Sequence, residues 1–181
     1  MGNRNQNHDS PGDTRLAPEL SVAGWLNTPQ PLSLHALRGR VVVIEAFQML
    51  CPGCVSRGLP QAQAIAQTFR PEDVAVIGLH SVFEHHEAQG TETALRAFLH
   101  EYRIGFLVAM DMPGEGHPLP RTMAAYDMPG TPTLGLVDRG GRRRAQQCAH
   151  PSALRIAAEA VAPVGGQRPH DRQAPGQEAA P

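Results

Sequence analysis

The sequence contains no lysine, only three cysteines and few aromatic residues. Its sixteen basic residues are all arginine, which excludes Schiff-base chemistry on a lysine amine. Three unevenly spaced cysteines do not make the disulfide framework of a small secreted domain. No apolar run reaches the roughly eighteen residues of a membrane-spanning helix, and the first twenty residues hold no apolar stretch typical of a signal peptide. We therefore expect a cytoplasmic protein without a membrane span.

Charge and length restrict the possibilities further. The net charge is −1 and the pI about 6.7, so neither nucleic acid nor an anionic membrane is an expected partner. With 181 residues, 41% of them hydrophobic, the chain can bury one core. We expect one domain at residues 18–162, with disordered polar segments at 1–17 and 163–181.

The most informative stretch is residues 40–60, RVVVIEAFQMLCPGCVSRGLP. Residues 41–44 are β-branched and uninterrupted by polar side chains, a pattern typical of a strand buried on both faces. The segment Cys51-Pro52-Gly53-Cys54 follows, and residues 55–69 have the apolar spacing of a helix. Pro52 suits the first helical position, so the sequence predicts that Cys51 lies at a helix N-terminus.

That position predicts redox chemistry at the cysteine pair. Free N–H groups and the helix dipole favour the thiolate of Cys51, and Cys54 lies about one turn further on. Cys54 could then attack a mixed disulfide on Cys51 and release the reduced partner. Two alternatives remain: half of a zinc site, completed by Cys148 and His150, or two inert buried thiols.

The remaining apolar patterns outline the other elements. Residues 20–26 and 31–34 suggest an N-terminal β-hairpin or edge strands, and 73–79 a second buried strand. Residues 91–102 predict a helix capped by Thr91. Further strands are expected at 106–110, 134–137 and 142–149, with short helices at 121–126 and 152–161.

Residues 41–60, taken with Gly130-Thr131-Pro132-Thr133, resemble the thioredoxin superfamily. Within it, they are similar to the branch of TlpA-like thiol-disulfide reductases and AhpC/TSA-type redoxins. The resemblance implies an α/β, thioredoxin-like three-layer fold: a central mixed sheet of about five strands, helices on both faces and an N-terminal β extension. It also implies a thiol-disulfide oxidoreductase that needs no cofactor and acts on protein or low-molecular-weight disulfides with an electron donor.

The resemblance also implies a substrate platform. The family's proline before the last hairpin is cis and faces the cysteine pair, and Pro132 matches it. A cis bond there lets Thr131 offer its N–H and C=O to a bound peptide. We expect Thr131 and Pro132, with Pro52 and Gly53, to contact the substrate. The alternative is an ordinary trans turn.

Glu45 matches a buried acid that thioredoxins carry six residues before the first cysteine. It is the only charge in an apolar segment, and burying an unpaired carboxylate costs several kcal/mol. We expect a raised pKa and a role in accepting the Cys54 proton. Alternatively, Glu45 faces solvent from the end of its strand.

Three departures from the family pattern concern the rim and the helix. Leu50 replaces the usual tryptophan, which predicts an aliphatic rim. Pro60 lies nine residues after Cys51, one later than the family spacing. The dipeptide Pro52-Gly53 is not the Gly-Pro of thioredoxin itself and should alter the reduction potential.

Two rival functions share the fold. A peroxiredoxin-like, antioxidant redoxin would need a threonine at position 48 and a proline further upstream, where this chain has Gln48 and Ile44. A redox-inactive binding module would use only the Thr131-Pro132 edge.

Several other side chains are secondary candidates. His80, Glu84, His85 and His86 could bind a metal or donate protons, although a solvated loop is the simpler interpretation. Cys148 is interpreted as a small buried hydrophobe rather than a disulfide relay. Four methionines near the Pro/Gly loop could form either a peptide groove or ordinary core: Met110, Met112, Met123 and Met128.

Overall fold

The computed structural model describes residues 15–147, which form a six-stranded mixed sheet with helices on both faces. The strand order is β1-β4-β3-β2-β5-β6. Strands β2, β3 and β4 are parallel, whereas β1, β5 and β6 are each antiparallel to a neighbour. The strands are β1 (Val22–Leu26), β2 (Val41–Phe47), β3 (Val74–His80), β4 (Leu107–Asp111), β5 (Thr133–Val137) and β6 (Arg143–Gln147).

The first helical segment begins within the cysteine motif, at residue 52. A π-helical turn, Cys54–Gly58, leads without a break into α1 (Leu59–Thr68). The other helices are α2 (His86–Gln89), α3 (Glu92–Glu101) and α4 (Arg121–Ala125). As predicted, the Thr91 hydroxyl caps α3 by accepting a hydrogen bond from the Ala94 N–H at 3.2 Å.

Strand β2 is central and is buried along its whole length. Because side chains alternate along a strand, Val42, Ile44 and Ala46 pack on one face of the sheet, in the same core cluster as Met123 and Tyr126. Val41 and Val43 pack on the other face, against α1, and Phe47 lies on that face with Cys54. Because side chains alternate, Glu45 points to the same face as Val41 and Val43, which is the face covered by α1.

The N-terminal hairpin prediction was wrong in part. Strand β1 exists and is an edge strand, but it pairs with β4, Trp25 opposite Ala109. Residues 31–34 form no strand, because the free side of β4 satisfies the backbone of β1 instead. Before β1, Leu16 forms a bridge with Arg142, and the Ala17 N–H donates to the Gly141 carbonyl.

Some predictions lie outside the described residues: most of the disordered segment at 1–17, the helix at 152–161, the tail at 163–181, and Cys148 and His150. Across residues 15–147, none of the helices has the length and apolar character needed to cross a bilayer.

Candidate active site

The cysteine pair lies where the loop after β2 turns into the helix. Residues 52 and 53 are already helical, so Cys51 immediately precedes the first turn. Both cysteines are free thiols. The Cys51 Sγ accepts a hydrogen bond from the Cys54 N–H at 3.2 Å, so the first turn directs a backbone donor at this sulfur. Such a donor stabilises negative charge on Cys51.

The two sulfurs differ sharply in accessibility. Cys51 is partly exposed, whereas Cys54 is 0% exposed within a core cluster that includes Phe47 and Leu59. Burial, followed by the hydrogen bond with Cys51, raises the pKa of Cys54 to about 12. Cys54 is therefore a neutral thiol at physiological pH, and an incoming partner reaches Cys51 first.

Pro132 lies against the cysteine turn. The Thr131-Pro132 peptide bond is cis, and the alternative of a trans turn is wrong. A Cβ placed on Gly53 would lie 3.3 Å from Pro132 Cδ, so the proline ring is in close contact with the Cys-Pro-Gly-Cys backbone. The Cys51 thiol lies 3.5 Å from the Thr131 carbonyl oxygen. Thr131 thus presents a backbone acceptor directly at the exposed sulfur.

Glu45 lies beneath this turn and does not reach solvent. It is 1% exposed, so the interpretation of a solvent-facing strand end is wrong. The carboxyl group approaches Gly58 of the π-helical turn and lies close to Pro132. Burial raises the pKa of Glu45 to about 8. Within residues 15–147, its Oε1 has no hydrogen-bond partner, so this oxygen can accept a proton.

The rim of the site combines exposed and half-buried residues. Leu50 is 55% exposed, which gives the predicted aliphatic rim. Pro52 is exposed and Gly53 half-buried, so both border the opening in which Cys51 lies.

Sequence reasoning missed a buried amide pair that supports the loop before Cys51. The Gln48 Oε1 accepts hydrogen bonds from Gln89 Nε2 at 3.0 Å and from the Phe83 N–H at 3.3 Å. The Gln89 Oε1 accepts from the Leu50 N–H at 3.0 Å. Gln48 stands in an apolar run, and a buried amide needs partners. That signal was available in the sequence, although the identity of the partner was not.

The histidines do not converge on a metal site. His80 is 2% exposed, and burial lowers its pKa to about 4, whereas His85 and His86 are exposed. Glu84 accepts a hydrogen bond from Gln48. Among the residues that the structure describes, no three potential ligands are grouped to hold a metal ion. Met123 and Met128 are fully buried, which favours ordinary core packing.

Fold and site together define the class of the protein. A partly exposed cysteine at a helix start, a buried second cysteine and a facing cis-proline on a mixed sheet are the arrangement of thioredoxin-like thiol-disulfide oxidoreductases. The sequence-based expectation of an α/β thioredoxin-like fold is confirmed, with six strands rather than about five.

Comparison with known proteins places the chain more closely. A thioredoxin-like superfamily protein of known crystal structure is 52% identical, with a TM-score of 0.78, over 82% of this chain and 97% of that one. A thiol-disulfide isomerase from Corynebacterium glutamicum is 46% identical, with a TM-score of 0.77, over 83% and 99% of the two chains. The chain belongs to the thioredoxin-like superfamily.

Curated relatives match over a shorter segment. Protein DipZ of Mycobacterium bovis is 40% identical over 68 residues, which are 36% of this chain and 10% of DipZ. NHL repeat-containing protein 2 of Bos taurus is 36% identical over 69 residues, or 9% of that protein. The chain thus spans only about a tenth of these relatives. No protein-family model matches the chain.

Proposed function

We propose that this protein exchanges a Cys51–Cys54 disulfide or dithiol with partner molecules through a mixed disulfide on Cys51. The observation that supports this proposal is the difference in exposure and hydrogen bonding between the two sulfurs. Cys51 is partly exposed and accepts an N–H hydrogen bond, whereas Cys54 is buried and neutral. One sulfur is therefore suited to attack the partner and the other to resolve the intermediate.

In the reducing direction, the Cys51 thiolate attacks one sulfur of a partner disulfide. A bond forms between Cys51 Sγ and that sulfur, the partner's S–S bond breaks, and its second sulfur leaves as a thiolate. The Cys54 N–H donates a hydrogen bond to Cys51 Sγ. This hydrogen bond stabilises the negative charge on the attacking sulfur before the reaction.

In the second step, Cys54 attacks Cys51 Sγ and displaces the partner's remaining sulfur. The Cys54 thiol must lose its proton, and Glu45 accepts it, directly or through one water. Because Cys54 is a much weaker acid than Glu45, the proton leaves as the new S–S bond forms rather than beforehand. The partner gains two electrons, and the protein is left with the Cys51–Cys54 disulfide.

A thiol donor then reduces that disulfide and completes the cycle. In the oxidising direction the same steps run in reverse, and protonated Glu45 returns its proton to the leaving Cys54 sulfur.

The substrate class follows from the rim. Thr131 places its carbonyl at the reactive sulfur, and backbone groups of this kind pair with an extended peptide. Exposed Leu50 and Pro52 beside it suit an apolar side chain. We therefore propose extended protein segments as substrates, with low-molecular-weight disulfides as smaller alternatives. Peroxide reduction has less support, because Gln48 stands where a peroxiredoxin-type pocket needs threonine and its amide makes three hydrogen bonds within the protein.

Reduction of insulin disulfides by dithiothreitol tests the proposal. The wild-type protein should accelerate the reaction, and Cys51→Ser should abolish the acceleration. Cys54→Ser, treated with glutathione disulfide, should retain one glutathione on Cys51 by mass spectrometry. Cys148→Ser is the matched control for loss of a thiol and should keep the activity. An unaccelerated wild-type reaction, or full activity in Cys51→Ser, would contradict the proposal.

A further inference from the structure

The helix after the cysteine pair contains one residue more than a regular α-helix would. The Leu59 N–H donates to the Cys54 carbonyl, five residues back, and so closes the π-helical turn Cys54–Gly58. This turn accounts for the position of Pro60, one residue later than the family spacing. The extra residue lies in the turn between Cys54 and α1. Such π-helical turns are frequent at functional sites.

Gly58, the last residue of that turn, has no conformational reason to be glycine. Its φ of −57° and ψ of −58° are helical, so any L-residue could adopt them, and alanine is the better helix former. The reason must therefore be the space that a side chain would occupy.

That space is filled by the Glu45 carboxyl group. A Cβ on Gly58 would overlap Glu45 Oε1 and lie 3.2 Å from Glu45 Cδ. It would also lie 3.1 Å from Pro132 Cβ. The Glu45 backbone is held by the strands on either side, where it pairs with Gly78 of β3 and Leu134 of β5. A Cβ on Gly58 would therefore have to be accommodated by a shift of the carboxyl group itself.

We infer that Gly58 is a positioning residue: its missing side chain leaves the space in which the Glu45 carboxyl lies beside the Cys54 turn. The π-helical turn brings this glycine, rather than a residue with a Cβ, over the carboxyl group. The inference deepens the proposed function: the packing of Gly58 on Glu45 rests on the geometry, and its importance for Cys54 rests on Glu45 handling the Cys54 proton. It also explains how the site accommodates glutamate, whose carboxyl reaches one methylene further than that of aspartate.

The direct test is Gly58→Ala, followed by carbon-13 NMR titration of the Glu45 carboxyl. We expect a wild-type inflection near pH 8 and a downward shift of at least one pH unit in the variant, because a displaced carboxyl gains water. The flanking strands present only Gly78 and Leu134 beside Glu45. The nearby thiols, Cys51 and Cys54, are replaced by serine in both samples so that the carboxyl alone is followed.

Gly105→Ala is the matched control, because a Cβ there would meet no atom within 4 Å. It should leave the Glu45 titration unchanged. An unshifted titration in Gly58→Ala would overturn the inference.

A second variant keeps the inference testable if Gly58→Ala folds poorly. In Glu45→Asp/Gly58→Ala, the shorter carboxylate makes room for the methyl group. We expect the double variant to regain much of the thermal stability that Gly58→Ala loses, so that the two effects are not additive. No recovery would mean that Pro132, not Glu45, is the obstacle, and the inference would be wrong.

The two proposals fail separately. If the wild-type protein reduces no disulfides but Gly58→Ala still shifts the Glu45 titration, the proposed function is wrong and the packing inference stands. If the wild-type protein reduces insulin but Gly58→Ala leaves the Glu45 titration unchanged, the proposed function stands and the packing inference is wrong.

Discussion

Glu45 is a carboxyl group whose protonation state changes close to neutral pH. With a pKa raised to about 8 by burial, most molecules carry it protonated at neutral pH, and the fraction able to accept a proton grows as the pH rises. The resolving step should follow that fraction.

Glu45→Gln is nearly isosteric and never ionises. We expect resolution of a thionitrobenzoate mixed disulfide on Cys51 to be about 10- to 100-fold slower than wild type at pH 8. The inflection near pH 8 should also disappear. Stopped-flow absorbance separates the release of the first and second thionitrobenzoate.

The first release reports attack by Cys51 and serves as the internal control, since it should change little. Equal rates of the second thionitrobenzoate release in wild type and Glu45→Gln would show that Glu45 takes no part in the resolving step.

At the same scale, the sequence was informative about single residues and silent about their partners. The spacing between Glu45 and Cys51 identified the acid, and the apolar context correctly implied its burial. The sequence does not show the supporting role of Gln48, because its partner Gln89 is 41 residues away in sequence. The role of Gly58 is equally hidden, because a lone glycine in a helical pattern has no local signature.

Among the secondary-structure elements, the short helix α2 supports the active-site loop more than its length suggests. Gln89 at its end is fully buried and bonds the Leu50 N–H, the Gln48 side chain and the Glu84 carbonyl. Its removal leaves buried polar groups without partners.

Gln89→Leu should therefore lower the free energy of unfolding by about 1–3 kcal/mol. It should also speed hydrogen exchange at the Leu50 amide. Urea denaturation and exchange NMR measure the two effects. Glu87→Leu, exposed on the same helix, is the matched control and should change stability by no more than about 0.5 kcal/mol. Equal stabilities in the two variants would contradict a supporting role for α2.

Strands were predicted best where burial is continuous. Strands β2 and β3 were recognisable from β-branched runs, because both faces of a parallel sheet are covered. The hairpin prediction failed because the partner of β1, β4, lies some 80 residues away, and alternation reveals a strand without revealing its neighbour. The π-helical turn left a trace in the spacing of Pro60, but spacing alone cannot distinguish a kink from an inserted residue.

For the whole molecule, buried groups with shifted pKa values make stability depend on pH, and Glu45 and His80 are two of them. The Glu45 pKa is raised from 4.5 to about 8, so its contribution to stability is present below pH 4.5 and lost as the pH rises to 8. The His80 pKa is lowered from 6.5 to about 4, so its contribution is present above pH 6.5 and lost on acidification. Above pH 6.5 only the Glu45 effect remains of these two.

The free energy of unfolding should thus fall by about 2 kcal/mol between pH 6.5 and 8. Guanidinium denaturation of Cys51→Ser/Cys54→Ser measures it without interference from thiol titration. Adding Glu45→Gln should flatten the curve over this interval. A fall that persists in that variant would have to come from another group.

The layered architecture was predictable only through the resemblance. Hydrophobic patterns gave strands and helices, and the cysteine motif with the Gly-Thr-Pro-Thr segment predicted a mixed sheet between helices by analogy. The strand order β1-β4-β3-β2-β5-β6 was not predicted, because it depends on pairings between distant segments.

The position of the lone tryptophan separates the fluorescence change of unfolding from any change caused by oxidation of the cysteine pair. Trp25 packs into the cluster that contains Ile44 and Met123, across the sheet from the cluster of the cysteine turn, and Leu50 takes the place of an indole at the rim. A change confined to the sulfur atoms should therefore leave the fluorescence of Trp25 unaltered, whereas loss of the core around it should change the emission. Trp25 is thus an intrinsic fluorescent probe of folding that does not respond to oxidation of the cysteine pair.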